Sequence, residues 1–287
     1  MTTTNAGALD TALPERSLMA RLPWRRLSIL AGQIALLAVF LGAWQVLTGI
    51  DWFRKNTFLD PFFISRPSLI AQKLYDWTLG KQAGFLWPHL ASTVGATLLG
   101  LAVAVVTGYV AGLTLSQNRA LAALFNPFIV ALNSLPRIAM VPLITMIFGL
   151  GLASKVVTAW FIVFFLIFFN AFKGGVNIEQ HLINFCRTLG GSNRQITWTV
   201  RIPNSLAWTF AALPNAVSFS LIGVVISEFV GSTTGMGYLI TTALATMNAS
   251  DMFATITVLG IIGIVLVTLI SMVERRLLHW APEFRQS

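Results

Sequence analysis

The chain holds a single cysteine, Cys186, in 287 residues, so it can form no internal disulfide, and the framework of a small stapled scaffold is excluded. Charge is scarce as well: 10% of residues are Asp, Glu, Lys or Arg, against roughly 25% in ordinary soluble domains. His89, His181 and His279 stand at spacings that suit no metal site, and there are no paired carboxylates and no Ser-His-Asp or Cys-His set. That pattern argues against an intramembrane hydrolase. No G-x-x-x-x-G-K-[ST] stretch occurs, so the chain carries no phosphate-binding loop for ATP. What is plentiful is apolar, 56% of residues, and such a chain belongs in a bilayer. The net charge of +9 then reads as basic loops kept on the cytoplasmic side, not as a nucleic-acid surface.

Long apolar runs fall at about 27–48, 90–115, 124–150, 154–175, 204–230 and 252–273. Each is long enough to cross as a helix, the one open-ended element that satisfies its own backbone in hydrocarbon. An all-α membrane protein of six spans is expected. The first run, Leu27 to Leu47, exceeds the core of about 7–15 residues found in a signal peptide and reads as a retained span. The third contains Pro127, Pro136 and Pro142, each of which removes a helix donor and can kink it.

Six spans put both termini on one side. That side holds Arg16, Arg21, Arg25, Arg26, Arg119, Lys173, Arg187, Arg194, Arg201, Arg275, Arg276 and Arg285; the other holds Arg54, Lys55, Arg66, Lys73, Lys81 and Lys155. The positive-inside rule makes the termini and residues 176–203 cytoplasmic. The expected organisation is a cytoplasmic tail at 1–26, a first span and external loop at 27–89, a core at 90–275 with a cytoplasmic loop at 176–203, and a cytoplasmic tail at 276–287. Within the external loop, an amphipathic stretch near Ser68 to Leu79 is expected along the membrane surface, with Trp77 and Trp87 as anchors. In the second span Ala96, Gly100, Ala104, Gly108 and Gly112 form one flat stripe, suited to close helix packing inside the subunit or between subunits.

Residues 184–203 can form two short helices joined near Gly190-Gly191, with Ser192 or Asn193 capping the second and Pro203 opening the next span. Arg187, Arg194 and Arg201 would offer donors to carboxylates on a soluble partner, with Phe185, Ile196 and Trp198 filling a groove. An interfacial amphipathic helix in a basic loop accounts for the same residues.

Gly190, nine residues, then Val200-Arg201-Ile202-Pro203 resembles the cytoplasmic loop signature of bacterial ABC importer permeases, in the form Glu-Ala-Ala, three residues, Gly, nine residues, Ile-x-Leu-Pro. Leu135-Pro136, Val141-Pro142-Leu143 to Phe148-Gly149-Leu150-Gly151, Ser227-Glu228-Phe229-Val230-Gly231-Ser232 and Gly235-Met236-Gly237-Tyr238-Leu239-Ile240 are similar to permeases for nitrate, taurine and aliphatic sulfonates. The stretches up to Gly151, with Asn126-Pro127 before them and Ser154-Lys155 after, resemble the third-span region of those permeases, and residues 227–232 with 235–240 resemble the short external re-entrant segment before their last span. Asn184-Phe185-Cys186 departs from Glu-Ala-Ala, so no acidic contact is carried over there. The resemblance implies a type I importer permease of MetI-like architecture that works as a homodimer. It also implies a cytoplasmic ATP-binding cassette dimer that uses ATP and Mg and docks on Arg187, Gly190, Gly191, Arg194, Val200, Ile202 and Pro203. An external solute-binding protein, periplasmic or lipid-anchored, would deliver the solute. This chain itself would bind no cofactor and catalyse nothing.

Ionisable groups at membrane depth usually face a cavity or one another. Arg137 is a candidate pore-lining cation favouring anions; alternatively it pairs with Glu228 or reaches an interface. Asn133, Asn170 and Asn215 either bond between helices or line the path. The expected function is transport of a small, anionic solute such as nitrate, a sulfonate or an organic acid. An ion-coupled carrier acting alone, with Glu228 as its coupling acid, and a membrane scaffold for a soluble partner are the rivals.

Overall fold

A computed structural model describes residues 23–52 and 60–278. Most of both expected tails, together with Arg54 and Lys55 of the external loop, lies outside the described residues. The described elements are helical: α1 (Pro23–Leu47), α2 (Pro61–Ile64), α3 (Pro67–Thr78), α4 (Leu86–Ser116), α5 (Arg119–Ser134), α6 (Val141–Phe148), α7 (Leu152–Val176), α8 (Gln180–Thr188), α9 (Asn193–Ile196), α10 (Ile202–Ala211), α11 (Leu213–Val230), α12 (Met236–Ala245) and α13 (Ala249–Leu277). Five of these, α1, α4, α7, α11 and α13, are long and apolar enough to cross a membrane; α5 and α6 make a sixth if taken as one bent span.

Proline explains the departures from six straight runs. Pro136 confines Leu135 to extended backbone, φ −64° and ψ 136°, and at this break the chain turns by 80° between α5 and the limb Arg137–Phe148, which opens with a 3-10 turn at Arg137–Met140 and continues as α6. The fifth run also divides, at Ala212, because Pro214 cannot donate to the Phe210 carbonyl that a continuous helix would use. Pro127, by contrast, stays inside α5.

The centre of the bundle is the α4–α7 pair, and the small-residue stripe is its seam. A Cβ on Gly100 would lie 2.5 Å from that of Ala159, and one on Gly112 would lie 2.5 Å from the Phe168 carbonyl oxygen. The helices therefore approach closely within the subunit, where dispersion replaces the hydrophobic effect as the cohesive force. Leu101 and Ala104 meet Val163 and Ile167, then Leu213, Ala216 and Val217 of α11 and Leu266 of α13. A second cluster joins Ile70 and Trp77 of α3 to Leu86, Met236, Leu239, Ala254 and Val258.

The second cluster corrects one expectation. The amphipathic stretch is a helix, α3, but Trp77 is 2% exposed and packs into protein, while Trp87 remains exposed. Polar ties explain why α3 turns inward: Lys73 pairs with Asp251 at 2.9 Å, Arg66 donates to the Thr48 carbonyl at 2.6 Å, and Gln45 exchanges hydrogen bonds with Ser68.

Candidate functional site

Three polar levels are stacked along the bundle. At one end is the 176–203 loop. α8 stops at Thr188, and Gly190 takes φ +82°, a left-handed angle that glycine adopts without a Cβ clash. Ser192 then caps α9 in a reciprocal box: its hydroxyl accepts from the Gln195 N–H at 3.3 Å, and its own N–H donates to Gln195 Oε1 at 2.8 Å. One π turn, Thr197–Arg201, leads into α10, where Pro203 occupies the first turn. Val200, Ile202 and Pro203 are half-buried. The start of α10 is fixed to the end of α7 by Asn204 donating to the Gly174 carbonyl at 2.7 Å and Ser205 to that of Ala171 at 2.8 Å.

The two faces of α8 differ. Leu182, Phe185 and Leu189 are exposed, Phe185 at 60%, whereas Gln180, Ile183 and Arg187 line a cleft against α4 and α7. Arg194 and Trp198 line a separate shallow hollow with Gln117 and Ile202, and Trp198 is 65% exposed. Arg187 and Arg194 therefore face different surroundings, which their spacing in the sequence did not separate.

Mid-bundle, a cavity of about 580 Å³ brings together Asn133, Arg137, Asn170, Lys173 and the rings of Phe165, Phe169 and Phe219. The guanidinium of Arg137 lies 5.3 Å from the Phe165 ring centroid, donates to the Ile162 carbonyl at 3.2 Å and bonds Asn133 Oδ1. The Asn170 amide donates to the Leu166 carbonyl of its own helix at 2.8 Å. Asn215 is exposed on α11, one turn before Phe219, and does not line the cavity. Among the described residues no carboxylate pairs with Arg137 or Lys173. The cavity is thus positive, with aromatic walls.

Glu228 lies elsewhere. The expected alternative of an Arg137–Glu228 pair is corrected: Glu228 pairs with Lys155 at 3.0 Å, both almost fully buried. Lys155, assigned from sequence to an external loop, sits in the first turn of α7. Its ammonium also donates to Ser92 Oγ at 2.9 Å and the Thr234 carbonyl at 2.6 Å. Glu228 accepts from Thr93 Oγ1 at 2.9 Å and from the Gly237 N–H at 2.8 Å. Thr93 Oγ1 in turn accepts from the Met236 N–H at 2.8 Å, and His89 Nδ1 from the Gly235 N–H at 3.1 Å. The cluster ties α4, α7 and α11 to the segment that enters α12. Glu228 is the one acid inside the six apolar runs, and a buried acid needs a cation, but that signal alone does not choose Lys155 over Arg137.

Residues 104–279, more than half of the chain, match the family of binding-protein-dependent transport system inner membrane components. The chain belongs to that family. The permease is 30% identical to a probable ABC transporter permease protein of Haemophilus influenzae, over 81% of this chain and 91% of that one. It is 26% identical to the taurine transport system permease protein of Escherichia coli, over 96% and 98% of the two chains. With the riboflavin transport system permease protein of Chloroflexus aurantiacus the identity is 29%, over 91% and 93%. The permease is therefore the transmembrane subunit of an ABC importer, a multi-pass inner-membrane component of a system that also comprises an ATPase and a binding protein. The ion-coupled carrier is not supported.

Proposed function

We propose that this permease carries a small organic anion, and that two copies form the path. The observation carrying this reading is the positive, aromatic-walled cavity around Arg137, in which Asn133 and Asn170 supply neutral hydrogen-bonding groups and Lys173 a second cation. A partly apolar acid would place its charge near the guanidinium and its body against Phe165, Phe169 and Phe219. Taurine, handled by one relative, has a sulfonate of this kind, which supports the class; riboflavin, handled by another, supports the aromatic wall. Asn215 would join the path from the adjoining face of α11, and Glu228 would hold the segment before α12 without touching solute.

Both termini and the 176–203 loop would be cytoplasmic. ATP and Mg would be used in a separate ATPase dimer, this chain remaining non-catalytic. The ATPase would dock on the exposed apolar face of α8 and on Arg194, with Gly190, Gly191, Val200, Ile202 and Pro203 shaping the lever into α10. Closure of the ATPases would then rock the bundles between inward and outward access. Isolating the tagged chain from its own cells should yield two ATPase copies per two permeases, and Arg137→Gln in that complex should impair uptake of a sulfonate or carboxylate. Unchanged uptake by a normally assembled complex would remove Arg137 from the path.

A further inference from the structure

Where α4 and α7 end, a cleft of about 420 Å³ is lined by Gln117, Gln180, Arg187 and Arg201 over a floor of Ser116 and Gly175. The sequence alone offered both arginines to a soluble partner; the fold gathers them, Arg187 exposed and Arg201 half-buried, at one cleft. Guanidinium groups stay charged under all ordinary conditions, so two cations face one space. Among the described residues neither has a carboxylate partner, and the Nε of Arg201 is buried with no hydrogen-bond acceptor. The acid nearest in sequence, Glu179, is largely exposed beside His181. The Ser116 hydroxyl is already used, donating to the Leu113 carbonyl at 2.6 Å. Like charges brought together and a donor left unpaired are both unfavourable, and an oxyanion in the cleft would relieve both. Gln117 and Gln180 add uncharged donors at its rim.

The place of the cleft favours one kind of oxyanion. Ser116 and Val176 are the last residues of two helices long and apolar enough to cross a membrane, and Val176 is half exposed, so the cleft opens at an end of the bundle that a headgroup layer can reach. Basic pockets between helices at this depth suit acidic phospholipids. We infer that the cleft binds the phosphate headgroup of an acidic phospholipid, which braces α8 against the ends of α4 and α7. The inference rests on the proposed function only for which leaflet supplies the lipid.

The test uses the full chain in nanodiscs of phosphatidylcholine containing a photoactivatable phosphatidylglycerol, with cross-linked peptides mapped after irradiation. Cross-links should concentrate in residues 176–203 and around Gln117. Arg187→Gln with Arg201→Gln should lower them roughly tenfold, while Arg194→Gln, which removes the same kind of charge from the same loop, should not. The wild-type map stands as a test even if the double variant misfolds. Cross-links spread evenly over the chain, or lost equally in Arg194→Gln, would overturn the site. Displacement of the lipid by millimolar inorganic phosphate would assign the cleft to free phosphate, and displacement by the ATPase subunit would assign it to an acid of that partner; either result overturns the lipid. The disc carries the photoactivatable lipid in both leaflets, so the cross-links test the site whichever way the loop faces, and failure of the cytoplasmic orientation, read separately by labelling Cys186 in oriented vesicles, is distinguishable from failure of the site.

Discussion

Lys155 and Glu228 show how one contact sets a chain of others. Transferring either charge out of water is costly, and their mutual attraction, with Ser92, Thr93, the Thr234 carbonyl and the Gly237 N–H, is what offsets it. Removing one partner leaves the other buried and uncompensated. Lys155→Met alone should therefore destabilise the protein by about 3–5 kcal/mol, and adding Glu228→Gln should restore much of that loss. Thermal unfolding of the detergent-solubilised single and double variants measures this; equal destabilisation of the two would mean that the pair is not the relevant contact. Gly235 belongs to the same cluster: its φ is +121°, and a Cβ there would overlap the Glu228 carboxylate. Gly235→Ala should disturb the α11–α12 connection more than Gly260→Ala, since a Cβ on Gly260 meets nothing within 4 Å. Comparing hydrogen exchange at Met236–Ala245 in the two variants checks it.

The elements differ in how far the sequence discloses them, and the reason is range. The 184–203 loop was legible because its determinants are local: a glycine in the left-handed region, a serine three residues before Gln195, and a proline in the first turn of α10. The breaks at Pro136 and Pro214 differ in kind. Three prolines marked the third run as bent, but the amount of bending, 80°, follows from what packs beside it, and the division at Ala212 was not anticipated. The partner of Lys155 was not legible, because the register between α7 and α11 is decided by the close fit of α4 against α7, far away in sequence. Trp77 was misassigned for a similar reason: an amphipathic helix shows which face is apolar and not whether lipid or protein covers it. At this scale the loop carries its own prediction. Gly190→Leu forces a left-handed backbone on a residue with a Cβ, at about 1–2 kcal/mol, and Arg194→Glu reverses an exposed charge. Both variants should insert and assemble, yet ATP hydrolysis in the reconstituted complex should no longer track uptake. Normal coupling in both would mean that the ATPase docks elsewhere.

Across the whole molecule, charge is distributed by depth. The Lys155–Glu228 level is internally neutral, the Arg137–Lys173 cavity is positive, and the cleft and loop carrying Arg187, Arg194 and Arg201 are positive again. An anion moving from the first level to the last would meet cations at successive depths, and the same bias obeys the positive-inside rule only if the loop is cytoplasmic. Moving Lys155 from an external loop into the protein strengthens that asymmetry. The lone cysteine makes the orientation measurable without engineering a probe. Cys186 is half-buried at the edge of a hollow formed with Leu189, Gly190, Gly191 and Gln195, next to the face proposed for ATPase docking. A small membrane-impermeant thiol reagent should label it in inside-out vesicles and leave it unlabelled in intact spheroplasts, with Cys186→Ser as the blank. Adding the ATPase subunit to stripped vesicles should then protect it. Labelling from the outer side would invert the topology and detach the loop from any cytoplasmic motor, whereas labelling from the inner side without protection would keep the orientation and move the docking surface away from α8.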